Sequence, residues 1–148
     1  MPDLPTWISD NGRLVLLGDS AHAMFPDAAQ GFSQIVEDIA ALSTLLSSHD
    51  ATSMLEMTRA WEQIRKPRVG RVKDYAHSNH NLYAQGGATF PKQPQTNGVQ
   101  SQDKCSTVLS VEEDVAPNRD AEFNTPPFIK WLLDYDAAAT VLGTTPGI

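Results

Sequence analysis

The sequence predicts part of an α/β fold that is predominantly helical: one strand, two long helices, a low-complexity stretch and a C-terminal helix. Three observations carry this reading. A short apolar run, Arg13–Leu17 (RLVLL), ends at Gly18-Asp19, as a strand buried on both faces would. Apolar residues then recur at spacings of three and four over 31–48 and again over 51–83. From 85 to 124 the composition turns to Gly, Pro, Gln, Asn, Asp and Ser. The expected organisation is a main segment over 1–84, a disordered loop over 85–124, and a C-terminal helix and tail over 125–148.

Asn11-Gly12 is a tight-turn signal ahead of the strand. The first long helix has an apolar stripe of Phe32, Ile35, Val36, Ile39, Leu42, Leu45 and Leu46, with Glu37-Asp38 near its start as partners for the helix dipole. The second begins near Ala51 and carries Met54, Met57, Trp61, Ile64, Val72, Tyr75 and Leu82 as a core stripe. Pro67 lacks the amide a helix interior needs, so a bend or break is expected there. In the last element Thr125 is the expected cap, proline suits the first turn, and Phe128, Trp131, Leu132 and Tyr135 form an apolar face.

A strand's backbone donors and acceptors need partners, and a stable sheet needs several strands. Besides 13–17, the chain offers only Thr6–Ile8 and Thr107–Val111 as candidates. The sequence therefore reads as part of a larger α/β unit.

Composition narrows the function classes. Lys and Arg number 11 against 18 Asp and Glu, a net charge of −7 with no basic stripe, which argues against nucleic-acid binding. Cys105 is the sole cysteine, so no intrachain disulfide forms. No apolar stretch approaches the roughly 20 residues of a membrane span, and the N-terminus lacks a signal-peptide pattern. A cytoplasmic location is the expectation.

The chemistry-bearing stretch is GRLVLLGDSAHAMFPDAAQGFSQIVEDIAAL, residues 12–42. Asp19, just past a strand end, can accept hydrogen bonds from sugar-like hydroxyls, where ligands of open α/β sheets sit. Gly31 lets backbone approach a ligand closely. Free amides at 31–33, at the positive end of a helix, would stabilise an anion.

This stretch resembles the second FAD-binding motif of the group A flavoprotein monooxygenases, the family of salicylate hydroxylase and para-hydroxybenzoate hydroxylase. The matching residues are Gly18, Asp19, Ala21, His22, Pro26, Gln30, Gly31, Glu37 and Asp38. The aromatic-x3-R-x2-R pattern of that family is met by Trp61, Arg65 and Arg68, read as structural. Residues 131–137, WLLDYDA, resemble the end of fungal salicylate-hydroxylase-like members. The likeness covers 5–83 and 126–137.

It implies FAD as cofactor, NAD(P)H and O2 as co-substrates, and a small aromatic or phenolic substrate. It places Asp19 on the ribityl chain, Pro26 beside the isoalloxazine, and Gln30, Gly31 and Phe32 at the pyrimidine end. Ala29 stands where the family commonly has glycine, and Phe32-Ser33 where it has a small residue and asparagine. The G-x-G-x-x-G unit that binds the ADP half of FAD does not occur in this sequence. The resemblance thus leaves two functional expectations: a monooxygenase, or a non-catalytic product or interaction module that completes its site with a second chain or an upstream region.

Other polar residues have structural expectations. His22 is a hydrogen-bonding residue and not a base. Asp27 is solvated. His77, His80 and Tyr83, spaced by three, are a solvated helix face and not a metal site, and Cys105 is unactivated.

Overall fold

In the computed structural model, the described residues are 3–47, 53–85 and 115–143. They form helices α1 (Asp19–His22), α2 (Gly31–Ser47), α3 (Met54–Ala84), α4 (Pro126–Leu133) and α5 (Ala137–Val141), with a 3-10 turn at Pro26–Ala28. The chain divides into two units, Met1–His80 with Asp136–Ile148, and Asn81–Tyr135.

In the first unit, the strand expected over Arg13–Leu17 is not formed. The run makes a single antiparallel bridge, Ile8 to Val15, supported by Ser9 N to Leu14 O at 3.0 Å and Leu16 N to Trp7 O at 2.8 Å. The physical reason is the one foreseen for an isolated strand. Thr6–Ile8 is the only neighbour among the described residues, and Leu14 stays 63% exposed. The other candidate, Thr107–Val111, lies outside the described residues, as does the low-complexity stretch from 86 to 114.

The Asn11-Gly12 turn forms as expected. Asn11 Oδ1 accepts from Arg13 N at 3.1 Å and from Ser9 Oγ at 2.9 Å. Gly12 sits at φ 70°, with its Cα so close to α3 that an added Cβ would lie 2.6 Å from Leu55 Cα.

Helix α3 starts with a capping box, Ser53-x-x-Glu56, that sequence periodicity did not reveal. Ser53 N and Oγ both donate to Glu56 Oε2 at 2.9 Å, and Glu56 N donates back to Ser53 Oγ at 3.3 Å. These hydrogen bonds hold the Glu56 carboxyl below its ordinary range. The break expected at Pro67 as one alternative is absent, and α3 runs unbroken from Met54 to Ala84. Arg65 and Arg68 clamp the helix to α2 on either side of the missing amide. The buried face of α3 is partly the one expected: Trp61, Val72 and Tyr75 are inside, whereas Met54 is 47% and Leu82 45% exposed.

The N-terminal segment lies along α3. Trp7 N donates to Glu62 Oε1 at 2.6 Å, Lys66 Nζ to the Pro5 carbonyl at 2.7 Å, and Lys73 pairs with Asp3. Trp7, 4% exposed, packs against Trp61 and His22 with ring centroids 5.7 and 5.3 Å away.

Helix α2 departs most from its sequence pattern. Its buried residues are Gln34, Asp38 and Ala41. Most of the expected core stripe faces outward: Phe32 is 77%, Val36 50%, Ile39 53% and Leu46 43% exposed. Polar pairing with α3 determines which face turns inward, and α5 also packs on α2.

In the second unit, α4 buries Phe128, Trp131 and Leu132 as expected, with Phe123 edge-on to Phe128 at 5.0 Å. Thr125 occupies the cap position, but its hydroxyl turns back to the Glu122 carbonyl at 2.6 Å instead of capping. The expected single C-terminal helix is two. It stops at Leu133, and α5, which belongs to the first unit, starts under its own cap, Asp136 Oδ1 accepting from Ala139 N at 2.9 Å.

Gly12→Ala combines left-handed strain with a backbone collision. It is expected to lower stability by about 2–4 kcal/mol, measured as a shift in the urea unfolding midpoint.

Candidate functional site

The site begins with what the segment 18–38 buries. Gly18 adopts φ 58°, and an added Cβ would lie 2.8 Å from Ile35 Cγ1, so only glycine fits this turn against α2. Its amide donates to Asp38 Oδ2 at 3.2 Å. At the other end of α1, His22 Nε2 lies 2.6 Å from the same oxygen. A carboxylate only accepts, so the ring carries its proton on Nε2. His22 is 2% exposed, the structural role expected of it, and its Nδ1 has no hydrogen-bond partner among the described residues.

Asp38 is also the target of α3. Arg65 Nε donates to Asp38 Oδ1 at 2.9 Å, and Trp61 Nε1 to the Asp38 carbonyl at 3.0 Å. Arg65 reaches on to Glu37 Oε2 at 2.6 Å and Gln34 Oε1 at 2.9 Å. Arg68 forks onto both Glu37 oxygens at 2.7 and 2.8 Å.

Glu37 and Asp38 are therefore not first-turn dipole partners, as their position suggested. They lie in the second turn of α2, facing two guanidinium groups. Burial pushes the Asp38 carboxyl up, but the hydrogen bonds from His22 and Arg65, with Arg65's charge, outweigh it and hold the group below its ordinary range. Burial likewise opposes charge on Arg65, and the Glu37 charge and Asp38 hydrogen bond overcome it.

This buried frame sets the exposed residues above it. Asp19 opens α1 and is exposed, and among the described residues its carboxylate has no hydrogen-bond partner. Gly31 opens the 17-residue α2, and nothing lies within 4 Å of where its Cβ would be. Because Gly18 touches Ile35 of α2, Asp19 lies beside the first turns of that helix. Gln30 is 9% exposed, with its carbonyl accepting from Gln34 N at 3.0 Å, while the Phe32 side chain projects into the open.

Pro26 starts the 3-10 turn and is exposed. Its neighbours Phe25 and Asp27 are held to α3 through His80. Asp27 is not simply solvated, as its sequence context suggested. Its side chain is 19% exposed and lies 3.1 Å from His80 Nδ1, and its carbonyl accepts from Asn79 Nδ2 at 3.2 Å. Phe25 stacks on His80 at 4.0 Å and 8°. Helical spacing drew attention to His80, but nothing in the sequence linked it to residue 27. A cavity of about 550 Å³ lies on this side of the turn, lined in part by Met24, Phe25, Pro26, Lys73 and His77.

The residues present fit a flavin. A carboxylate left open for hydroxyl donors, and helix-start amides under open space, are what a ribityl chain and an anionic ring edge require. Among the described residues no group of three or more His, Cys, Asp or Glu could hold a metal, and no helix is long and apolar enough to cross a membrane.

Two consequences are measurable. Asp38→Asn removes an acceptor from a buried ion network and should cost about 3–5 kcal/mol. Because the folded Asp38 is lowered, its contribution is complete above the unfolded value of about 3.9 and fades as pH falls through the folded value. Urea midpoints recorded from neutral to acid pH should show this component in the parent and not in the variant. Ala29 sits in the left-handed region at φ 52°, so Ala29→Gly should raise stability by about 1 kcal/mol in the same assay.

The sequence comparisons agree with this geometry. A family model described as FAD binding domain matches residues 8–76. An FAD-dependent monooxygenase of Beauveria bassiana is 31% identical over 141 residues, covering 94% of this chain and 30% of the relative. Salicylate hydroxylase of Pseudomonas putida is 36% identical over 85 residues, 56% of this chain and 19% of that enzyme. Hispidin-3-hydroxylase of Neonothopanus nambi is 45% identical over 70 residues, 47% of this chain and 16% of that enzyme. The chain thus spans less than a third of the length of these relatives. Its buried frame and open acidic turn fall inside the matched span, so this part of the chain is similar to an FAD binding domain and to the corresponding part of FAD-dependent monooxygenases.

Proposed function

We propose that this chain furnishes the ribityl- and isoalloxazine-facing part of an FAD site in an aromatic-ring monooxygenase. The observation that carries the reading is Asp19: an exposed carboxylate without a protein partner among the described residues, set beside the start of α2 by a fully buried frame. In this reading Asp19 accepts hydrogen bonds from ribityl hydroxyls. The amides at Gly31 and Phe32 and the positive end of α2 favour negative charge at the pyrimidine edge. Pro26 shapes the turn beside the ring, and Gln30 fixes the helix entry through its backbone. Bound flavin supplies the oxygen-transfer chemistry, with NAD(P)H as electron source and O2 as oxygen donor.

The substrate class is a small aromatic or phenolic molecule, supported by the names of the salicylate and hispidin hydroxylases among the relatives. The reading includes a cytoplasmic setting and fungal-type aromatic or secondary metabolism, the latter supported by the fungal source of the Beauveria relative. A second reading rests on the outward apolar stripe of α2, Phe32, Val36, Ile39 and Leu46. Such a face suits a chain that completes its flavin site with a second chain or further sequence.

A visible spectrum after gel filtration with FAD separates the two readings. Retained flavin absorbance is expected under the first, and absorbance retained only when the rest of a family member is added is expected under the second. In either setting Asp19→Ala should weaken FAD binding by about 10- to 100-fold, the worth of a charged hydrogen bond. Titration by flavin fluorescence checks this, and an unchanged curve removes Asp19 from the site.

A further inference from the structure

We propose that His80 is a positioning residue: it holds the turn 25–29 in the shape that delivers Pro26 and the Gln30-Gly31 helix start to the flavin. This rests on the reading of the site given above, but its physical basis is separate. The turn contains a strained residue, Ala29 at φ 52°, where side-chain-bearing residues are disfavoured. Its own backbone provides one closing bond, Ala29 N to the Pro26 carbonyl at 2.8 Å. A strained turn of this kind persists when its surroundings over-determine it.

Those surroundings come from one turn of α3. The Phe25 ring lies parallel to His80 at 4.0 Å and 5.6 Å from His77. His80 Nδ1 donates to Asp27 Oδ2 at 3.1 Å. Asn79, 6% exposed, donates to the Asp27 carbonyl at 3.2 Å. His80 therefore grips the turn on both sides of Pro26, by ring stacking at 25 and by hydrogen bonding at 27. Neither half serves the buried frame around Asp38, whose partners come from residues 18, 22, 61 and 65. The function of this contact is local to the turn.

The test uses the whole 148-residue chain, first without FAD. Amide hydrogen exchange at Ala29 reports the turn, and the Trp61 indole resonance, bonded to the Asp38 carbonyl, reports the frame. His80→Ala should speed Ala29 exchange about tenfold while leaving the Trp61 resonance in place. His80→Asn, which keeps an N–H donor, and His80→Phe, which keeps the ring, should each recover part of the protection. In the double variant with Asp27→Ala, His80→Asn should recover nothing, because its acceptor is gone.

Exchange at Ala29 within twofold of the parent in His80→Ala overturns the proposal. So does an equal acceleration throughout α2 and α3, which would make His80 a general stabiliser. FAD titration of the same variants then tests the consequence: His80→Ala should weaken binding about tenfold, with partial rescue by His80→Asn. A loosened turn with unchanged FAD affinity refutes the positioning role. An Asp19→Ala variant that also leaves affinity unchanged marks the failure of the site reading instead.

Discussion

A single buried carboxylate, Asp38, joins the elements of the first unit. One oxygen receives Gly18 N and His22 Nε2, the two ends of the short helix α1, and the other receives Arg65 from α3. The backbone carbonyl of the same residue receives Trp61. Taking a carboxylate and a guanidinium out of water is costly, and the pair is tolerable only when the remaining donors and acceptors are satisfied. Here the arrangement closes electrically. Two carboxylates, Glu37 and Asp38, face two guanidiniums, Arg65 and Arg68, while His22 contributes an N–H. The network fixes helix register more strongly than apolar packing would, because a one-residue slip of α2 would strand a charge.

The functional consequence is a division of labour within one motif. Gly18, His22 and Asp38 point inward and are spent on one another. Asp19, between them in sequence, is left outside with its carboxylate open. The acidic turn is thus held by neighbours that are buried against one another. Loss of Asp38 or Arg65 would displace Asp19 without touching it, so activity lost on mutating either would not identify a catalytic group.

Helix α2 shows what happens when two patterns compete. Its apolar stripe is regular, but the residues it buries are Gln34, Asp38 and Ala41. The inward choice follows from the greater penalty of leaving Asp38 and Arg65 unpaired than of leaving Val36 and Ile39 in water. The relatives are more than three times the length of the shared region, and an outward apolar stripe is consistent with a helix whose family context is larger than this chain.

The sequence by itself determined the likeness to FAD binding domains, the two long helices, the Asn11-Gly12 turn, and the structural roles of His22, Trp61, Arg65 and Arg68. These are local or motif-level properties: turn chemistry, helical period, and an ordered set of residues too specific to arise from composition. It also marked Ala29 as a departure from glycine, and the φ of 52° there shows why glycine is favoured. Tertiary structure decided the rest. Whether 13–17 becomes a strand depends on partners, and a single bridge was all that Thr6–Ile8 could supply. Whether Pro67 breaks α3 depends on clamps at 65 and 68. Which face of α2 is buried, and that Asp27 meets His80 across more than fifty residues, are pairings between distant segments. No periodicity encodes them, because they arise only once α3 is laid against α2 and the turn before it.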